Sequence, residues 1–499
     1  MAAGPKIEAP TLDALPTVPA IDPGAMAASK PYVAAKAHQE PLGFPGELLP
    51  DWEARAIAKL GELLGKYRSL RVYLDICVKC GACADKCHFF LGTGDPRNMP
   101  VARQDLLRDV YRRHFTLAGK VFGGLVGAAP LTRERLDQWY SYFHQCSQCR
   151  RCAVFCPYGI DTAEISMAAR EIMDSIGIGQ KYSNEIIAKV HKIGNNLGLP
   201  QPALEDTLLG LEEDVKEASG QDVKFPLDVE GAEVLLVTPS ADFFAEPHVD
   251  GLIGYAKVFH QAGLSWTLSS YASEAGNFGM FIGSYEQMRK IALRIRKAAL
   301  DLKVKRIVFG ECGHAWRVAY AFLNTLAGPF DFLDPRYPVP QHIMELTRGF
   351  IRSGAIRLDR DANADKVVTV HDSCNIARAT RMGPEPGSQF VYPRDILKAA
   401  CPKFVDMHPD TTHERTFCCG GGGGLLTDEL LDLRVKGAKP RVEALKQVVE
   451  SHGVTHLAAM CAICKSQFTK VLPYYGYDMG MVVSVHQLVG NAIRMGEHS

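Results

Sequence analysis

The sequence of 499 residues lacks three features, and each absence excludes a class of protein. Its 56 Lys and Arg balance 56 Asp and Glu, so it has no basic excess of the kind that nucleic-acid-binding proteins carry. No apolar run approaches the roughly 18–20 residues of a membrane-spanning helix. The N-terminus shows no apolar segment with a cleavage site, so we expect no secretory signal. We therefore expect a cytoplasmic protein that reaches the inner face of the cell membrane only through partner subunits.

Cysteine is abundant, with 15 residues in this long chain. Secreted disulfide scaffolds are short, and their cysteine number is usually even. In a reducing compartment, cysteines at regular spacing indicate metal binding or redox chemistry instead of disulfides. We therefore expect most of these thiols to serve as ligands.

The pattern of apolar residues changes along the chain and predicts an α-helical part followed by an α/β part with parallel sheets. In the second part, two similar series of strands and helices indicate a duplicated half-domain. Strands are predicted at residues 234–237, 306–309, 367–370 and 456–459. The predicted divisions are a Pro/Ala-rich arm at 1–48, a helical domain at 49–177, a linker at 178–231, and half-domains at 232–350 and 351–499. The arm is either a disordered tail or a segment wrapped around a partner.

The helical domain contains two runs with the spacing Cys-x2-Cys-x2-Cys-x3-Cys. This is the bacterial ferredoxin run for a [4Fe–4S] cluster, in which the fourth cysteine ligates the other cluster of the pair. A tetrahedral zinc site would use CxxC pairs and fits the third cysteine of each run poorly. The predicted ligands are Cys77, Cys80, Cys83 and Cys156 for one cubane and Cys146, Cys149, Cys152 and Cys87 for the other.

The first run departs from the ferredoxin pattern because His88, and not proline, follows Cys87. This is either a tolerated substitution or a change in solvent access and potential. The long gap between the two runs, with helical flanks, resembles the α-helical ferredoxin domain of respiratory iron–sulfur subunits.

A third group of cysteines lies in the second half-domain, where each member follows a predicted strand. The group consists of Cys374, Cys418, Cys419, Cys461 and Cys464. Gly420 begins a run of five glycines directly after the adjacent pair, and glycine allows the backbone to approach a bulky ligand closely. Parallel sheets place ligands beyond the carboxyl ends of their strands, which is where these cysteines are expected.

The pattern Cys…Cys-Cys-Gly…Cys-x2-Cys resembles the CCG domain of the heterodisulfide reductase D subunit family. The resemblance implies a non-cubane [4Fe–4S] cluster held by those five cysteines, at which a substrate sulfur meets iron. It also implies that Gly420 and Gly421 approach the cluster and that His371 either caps a helix or hydrogen-bonds a cluster ligand.

The first half-domain departs from this pattern and is expected to hold no cluster. Asn277-Phe278-Gly279 replaces Cys-Cys-Gly, Cys312-x2-Ala315 replaces the CxxC pair, and the first cysteine position falls near Ala241 or Asp242. One intact and one degenerate half resemble the K subunit of the membrane-associated Dsr complex. That resemblance implies a b-type cytochrome partner and electron exchange between membrane quinone and a small sulfur-carrier protein with a disulfide or trisulfide.

Three residues near the end of a predicted strand have open roles. Cys312 is either a buried small residue or a thiol that contacts substrate sulfur beside the cluster. Glu311 and His314 are either structural hydrogen-bonding groups or proton donors, since disulfide cleavage consumes two protons with two electrons. Cys401 is expected to be a core residue.

The function predicted from these residues is that of an oxidoreductase acting on sulfur groups. A rival interpretation makes the chain an electron relay, because iron–sulfur subunits of glycolate oxidase and anaerobic glycerol-3-phosphate dehydrogenase also resemble this layout. Such a relay would require a flavoprotein partner. A scaffold that uses clusters only structurally is the third interpretation, and thirteen predicted cluster ligands argue against it.

Overall fold

The computed structural model describes residues 48–495, without the side chain of Lys181. Apart from Leu48, the arm predicted for residues 1–48 lies outside the described residues, and so do residues 496–499. The arm therefore stays a prediction.

The first part of the described chain is helical, and its cysteine runs lie mostly in the loops between helices, with Cys152 in a short helix. Its helices are α1 (Trp52–Lys66), α2 (Arg68–Ile76), α3 (His88–Thr93), α4 (Pro100–Phe115), α5 (Leu117–Phe122), α6 (Arg133–His144), α7 (Arg151–Val154) and α8 (Thr162–Ser175). Their core contains the buried rings of Trp139, Tyr140 and Phe143. Leu425 and Leu433, from the far end of the chain, pack against the same core. The helical part is therefore not separate from the rest.

The segment predicted to be a linker contains two helices, α9 (Lys181–Ile193) and α10 (Gln201–Ser219). Leu204, Leu208, Leu211 and Val215 recur on one face of α10 at helical spacing and are buried. They pack with Tyr255 and other residues of the first α/β half. This segment thus covers the first sheet.

Two four-stranded sheets follow, and every strand pair in them is parallel, as predicted. The first has the order β2-β1-β3-β4, and the second has the order β6-β5-β7-β8. The strands are β1 (Val234–Val237), β2 (Trp266–Thr267), β3 (Arg306–Phe309), β4 (Gln341–His342), β5 (Val367–His371), β6 (Lys403–Phe404), β7 (His456–Ala459) and β8 (Val482–Val483). The shared strand order is what a duplicated half-domain predicts, while the assignment of both halves to CCG domains stays a prediction.

Helices connect these strands and cover the sheets. They are α11 (His248–Gln261), α12 (Asn277–Phe281), α13 (Tyr285–Asp301), α14 (Gly313–Val318), α15 (Asn324–Ala327), α16 (Ile343–Ser353), α17 (Cys374–Ala379), α18 (Ser388–Ala400), α19 (Leu431–His452), α20 (Ala462–Val471) and α21 (Val485–Ala492). One continuous apolar core joins the two halves, since Val237 and Phe309 of the first sheet belong to the same core as Val368 and Leu457 of the second.

Helix α5 and the turn after it form an exposed apolar knob. Leu117 and Leu125 are 80% and 90% exposed, and Val121 and Phe122 are also exposed. Lys120 lies among them on the surface. No helix between residues 48 and 495 has the length and apolar character needed to cross a bilayer.

The buried guanidinium of Arg170, on α8, joins three parts of the fold. It donates hydrogen bonds to the carbonyl oxygens of Phe143 and Cys146 in the helical part, at 2.7 and 2.6 Å. It also donates to Phe281 in the first half and to Gly423 in the second, at 2.6 and 3.1 Å. Burial lowers the pKa of Arg170 to about 10, so the side chain stays charged near neutral pH. Arg170 therefore fixes the helical part against both sheets.

We expect Arg170→Met to lower the free energy of unfolding by about 3–5 kcal/mol, because several buried carbonyls lose their donor at once and each costs roughly 1–3 kcal/mol. Chemical unfolding followed by circular dichroism measures this. The control is Arg55→Met, which removes an exposed partner of Asp51 and should change stability far less. Equal effects of the two substitutions would contradict the role given to Arg170.

Candidate iron–sulfur centres and an adjoining cavity

The four thiols predicted for the first cubane meet around one cavity. Cys77, Cys80, Cys83 and Cys156 all line it, and Cys152 also reaches it. The loop between Cys77 and Cys83 turns tightly, with positive φ at Lys79 and Gly81. The structure thus brings Cys156 of the second run to the first run, as the ferredoxin pattern predicts. Ligation itself stays a prediction.

The second predicted set gathers around Arg103. Burial alone would lower the pKa of this guanidinium, but the thiols of Cys146 and Cys87 outweigh burial and raise it. Cys152 is close enough to Cys146 and Cys87 to interact with both. Cys149 differs from the other three, because its thiol interacts with Cys418. Cys149 therefore lies between this set and the C-terminal cysteines.

The five C-terminal cysteines form a continuous buried group, which we call the five-cysteine set. It joins the start of α17, the loop after Phe417 and the start of α20. The Sγ atoms of Cys374 and Cys418 are 3.9 Å apart. Cys419 interacts with Cys418 and with Cys464. Cys464 also interacts with Cys461. All five side chains are at most 1% exposed.

The glycine run after Cys419 packs against the loop that carries Cys146. A Cβ atom on Gly423 would lie 2.6 Å from the carbonyl oxygen of Cys146, and one on Gly422 would lie 3.0 Å from that of Ser147. Gly423 also has φ of +73°, which side chains disfavour. The expectation from the sequence that Gly420 and Gly421 approach a cofactor stays a prediction. Gly422 and Gly423 hold the five-cysteine set against the second ferredoxin run.

His88, which replaces the usual proline, bridges the same two regions. Its Nε2 is 2.8 Å from Ser147 Oγ, and its Nδ1 is 2.8 Å from the carbonyl oxygen of Gly437 on α19. Burial opposes protonation of the ring, but Cys418 outweighs burial and raises the pKa of His88. Sequence reasoning noticed the substitution and missed the contact, since nothing in the spacing joins residue 88 to residue 437.

Unpartnered polar atoms surround the five-cysteine set. Both ring nitrogens of His371 are buried without a hydrogen-bond partner, and so is Ser373 Oγ beside Cys374. Burial lowers the pKa of His371 to about 3, so the ring is neutral. A cluster with sulfide atoms supplies acceptors at such positions. These orphaned atoms fit the cluster that the cysteines predict.

Buried positive charge gives a second test of the fit. Arg103, Arg170 and Arg317 are at most 3% exposed, and among residues 48–495 none of them forms an ion pair. Buried charges ordinarily have a counter-charge. Clusters ligated by thiolates are anionic and supply it.

Between residues 48 and 495, no group of three Cys, His, Asp or Glu side chains is arranged to hold a single metal ion.

Glu311 is held in a buried polar network at the junction of the two halves. Its carboxylate accepts hydrogen bonds from Ser484 Oγ at 2.7 Å and from the backbone N–H of His486 at 2.9 Å, and Lys465 Nζ lies 3.4 Å away. Burial would raise the pKa of Glu311, but Lys465 and His486 outweigh it and lower the pKa to about 2. The carboxylate is therefore ionised near neutral pH. This geometry favours the structural interpretation over the role of proton donor.

Cys312 and His314 both contact the five-cysteine set. The Cys312 thiol interacts with Cys461, and this contact together with burial raises the pKa of Cys312 well above its ordinary value. His314 Nδ1 is 4.0 Å from Cys461 Sγ, and its Nε2 is 2.8 Å from the amide nitrogen of Asn375. Both residues are therefore buried beside the five-cysteine set, and their roles in catalysis stay predictions. Cys401 is buried elsewhere, in the core of the second half.

A cavity of about 190 Å³ opens beside the five-cysteine set. Three positions that replace ligands in the first half, Ala241, Asn277 and Phe278, line it together with Cys312, the cysteine that remains there. Gly421 and Gly424 line the opposite side. We call this space the replacement cavity. Asn277 is 3% exposed, and its Oδ1 has no hydrogen-bond partner. Sequence reasoning treated these positions only as lost ligands.

Comparison with known families places iron–sulfur clusters in the helical part. Residues 73–160 match the model of the 4Fe-4S dicluster domain. The chain is 39% identical over 479 residues to an Archaeoglobus fulgidus protein, the Hdr-like menaquinol oxidoreductase iron-sulfur subunit 2, covering 90% of this chain and 85% of that protein. The corresponding Archaeoglobus profundus protein is also 39% identical, with 90% and 84% covered.

A more distant relative is a heterodisulfide reductase D subunit, the family named by the CCG resemblance. The D subunit of the dihydromethanophenazine:CoB–CoM heterodisulfide reductase from Methanosarcina barkeri is 26% identical, covering 84% of this chain and 94% of that protein. No solved structure matches the chain significantly.

We expect Gly423→Ala to destabilise the protein by about 2–4 kcal/mol, because a Cβ there meets the Cys146 carbonyl and also has an unfavourable φ. Gly387→Ala is the matched control. Its φ is +74°, and its Cβ would meet no atom within 4 Å, so only the backbone cost of about 1–2 kcal/mol applies. Unfolding curves of the two variants measure the difference. Equal destabilisation would show that the close contact contributes nothing.

Proposed function

Because the chain belongs to the family of Hdr-like menaquinol oxidoreductase iron–sulfur subunits, we propose that it is the catalytic iron–sulfur subunit of a membrane-associated redox complex. In this proposal the complex exchanges electrons between membrane quinone and a protein disulfide or trisulfide on a small sulfur-carrier protein. The family supports an iron–sulfur oxidoreductase, as predicted. The finer similarity to the Dsr complex K subunit rests on the one intact and one degenerate half.

The proposal assigns thirteen cysteines to two cubane [4Fe–4S] clusters and one non-cubane cluster. Cys77, Cys80, Cys83 and Cys156 would hold the first cubane, and Cys146, Cys149, Cys152 and Cys87 the second. The five-cysteine set would hold the non-cubane cluster. When bound, these clusters supply one-electron carriers and, at the five-cysteine set, iron that a substrate sulfur can approach. The cavity around the first set and the buried arginines support this assignment.

The contact between the second ferredoxin run and the five-cysteine set carries the proposal. The Cys149 thiol interacts with Cys418, and Gly423 lies against the Cys146 carbonyl. Arg378 reinforces this contact, since its Nε donates to the Cys149 carbonyl at 2.5 Å and its Nη1 donates to the Thr416 carbonyl at 2.9 Å. The chain thus brings a ferredoxin-type electron path directly to a buried site with room for a ligand. A pure relay needs no cavity at that end.

The side chains around the site have separable tasks. His314 orients Cys461 and is itself oriented by Asn375. Lys465, with no exposed surface, pairs with Glu311 from the other half and fixes the start of α20, where Cys461 and Cys464 lie. Bulk water is excluded because all five thiols are buried. Cleavage of one disulfide then requires two electrons, which arrive singly, and two protons.

Electron paramagnetic resonance on anaerobically purified protein tests the sulfur chemistry. We expect an uncharged thiol, added to the oxidised protein, to give a new signal that Cys418→Ser abolishes while both cubane signals remain. Cys401→Ser is the control, because Cys401 is buried away from the three sets. Absence of a thiol-dependent signal would contradict direct disulfide chemistry. Loss of a cubane in Cys418→Ser would contradict the ligand assignment. Co-purification with a flavoprotein would favour the relay interpretation.

We also propose that the apolar knob of α5 docks on a membrane-embedded cytochrome subunit at the cytoplasmic face. The names of the closely similar archaeal proteins refer to a subunit of a menaquinol oxidoreductase, which implies a multisubunit membrane complex. Four large apolar side chains exposed within nine residues suit an apolar partner surface.

We expect the double substitution Val121→Asp and Leu125→Asp to release the protein from washed membranes without changing its iron content, because a charge at each apolar contact opposes docking. Val339→Asp is the control, since Val339 is similarly exposed at 53% on another surface. Immunoblots of membrane and soluble fractions measure the effect. Retention of the double variant at the membrane would place the docking surface elsewhere, and binding of the wild type to protein-free vesicles would point to lipid.

A further inference from the structure

The replacement cavity occupies the place where a second five-cysteine site would lie in a symmetric molecule. Its walls include the substituted positions Ala241, Asn277 and Phe278, together with Cys312, the one cysteine that remains. On the other side it is bounded by Gly421 and by Ala462 and Ile463, the two residues between Cys461 and Cys464. The loss of ligands in one half has therefore produced a space that adjoins the ligand set of the other half.

The walls of this cavity are mostly apolar, and they carry no positive charge. Phe278, Phe281, Leu426 and Ile463 supply apolar surface. The residues that line it, all within the described chain, include no Lys, Arg or His. A sulfonate, phosphate or carboxylate group would enter without a counter-charge, which is costly in a buried site. The cavity therefore selects against anionic thiols.

Three acid or amide groups line the same space, namely Glu274, Asn196 and Asn277, and among the described residues the side-chain oxygens of both asparagines have no hydrogen-bond partner. Asn196 is half-buried, whereas Asn277 is buried. The Glu274 carboxylate accepts hydrogen bonds from Ser240, with its backbone N–H at 3.0 Å. Asn277 Oδ1 has no partner, although the side chain is almost completely buried. A buried amide oxygen without a donor indicates a missing partner. An amide N–H of a peptide supplies such a donor.

We propose that the replacement cavity binds the sulfur-bearing end of an uncharged, peptide-like thiol or disulfide, with Asn277 as its hydrogen-bonding anchor. This inference rests on the proposed function and names its substrate class. Cys312 lines the cavity and contacts Cys461, so a sulfur atom bound beside Cys312 lies next to the five-cysteine set. In this proposal the first half-domain binds the substrate, and the second half-domain carries the cysteines at which the substrate reacts.

Binding of two small probes to the cluster-loaded protein tests the inference directly. One probe is N-acetylcysteinamide, an uncharged thiol with two amide groups, and the other is 2-mercaptoethanesulfonate, an anionic thiol. Anaerobic equilibrium dialysis measures both. We expect the uncharged probe to bind at least tenfold more tightly. Equal affinity, tighter binding of the anionic probe, or no binding of the uncharged probe would overturn the proposal.

Variants locate the binding to this cavity. Ala241→Leu adds bulk to the wall and should weaken binding of N-acetylcysteinamide at least tenfold. Ala245→Leu is the matched control, since Ala245 is half-buried in the same loop but does not line the cavity, and its effect should stay within twofold. Asn277→Ala should weaken binding about fivefold, which corresponds to about 1 kcal/mol for one hydrogen bond. Iron and sulfide analysis should show unchanged cluster content in all three variants.

The outcomes separate this inference from the proposed function. If Ala241→Leu and Ala245→Leu bind the uncharged thiol equally well, the cavity is not the binding site and the inference fails. If binding depends on Ala241 and Asn277 as expected, but the bound thiol leaves the paramagnetic signals unchanged, the cavity assignment stands and the sulfur chemistry fails.

Discussion

The fold depends on the close approach of two loops, one carrying the second ferredoxin run and one carrying the glycine run after Cys419. Only a backbone without side chains fits there, and the approach is fixed by Arg170, which binds carbonyls on both loops and on the first half. Because electron transfer weakens steeply with separation, a loop contact of this kind determines whether the two centres communicate. The helical part and the sheets are therefore parts of one assembly and not domains on a flexible connection.

Arginine side chains place positive charge beside this contact between the two loops. Arg103 lies beside Cys87 and Cys146, and Arg378 and Arg170 bind carbonyls of the same loop. Positive charge in a buried position opposes folding unless negative charge accompanies it. Anionic clusters would supply that charge. Cluster binding and folding are then linked, since any ligand that binds only the native state stabilises it.

The sequence predicted those features that a short stretch of neighbouring residues determines. The strands at 234–237, 306–309 and 456–459 were observed with the predicted bounds, because each is a short apolar run. The strands β2, β4 and β8 have two residues each, too few for any pattern. Helix α19 (Leu431–His452) contains Pro440 in its interior, where proline usually breaks a helix, so tertiary packing overrides the local signal there.

Site features that depend on distant pairing were beyond sequence reasoning. The intervals between cysteines along the chain were enough to group them, because the ligands of such clusters follow one another at characteristic spacings in the sequence. The intervals did not show that Cys149 meets Cys418, because that contact joins the helical part to the second half. They also did not show that Asn277 faces the same space as Gly421, because these residues come from different halves. The position of His88 illustrates both cases. Its departure from the ferredoxin pattern was visible, but its partners were not.

The exchange of the fourth cysteine between the two ferredoxin runs has a consequence for biogenesis. Cys156 lines the cavity of the first run, and Cys87 lies with the second. During synthesis, the first three thiols emerge from the ribosome long before their fourth partner. A nascent chain that ends before residue 156 therefore offers only an incomplete set of thiols. Cluster insertion is then expected to follow translation of both runs, so that the two centres mature together as a single step.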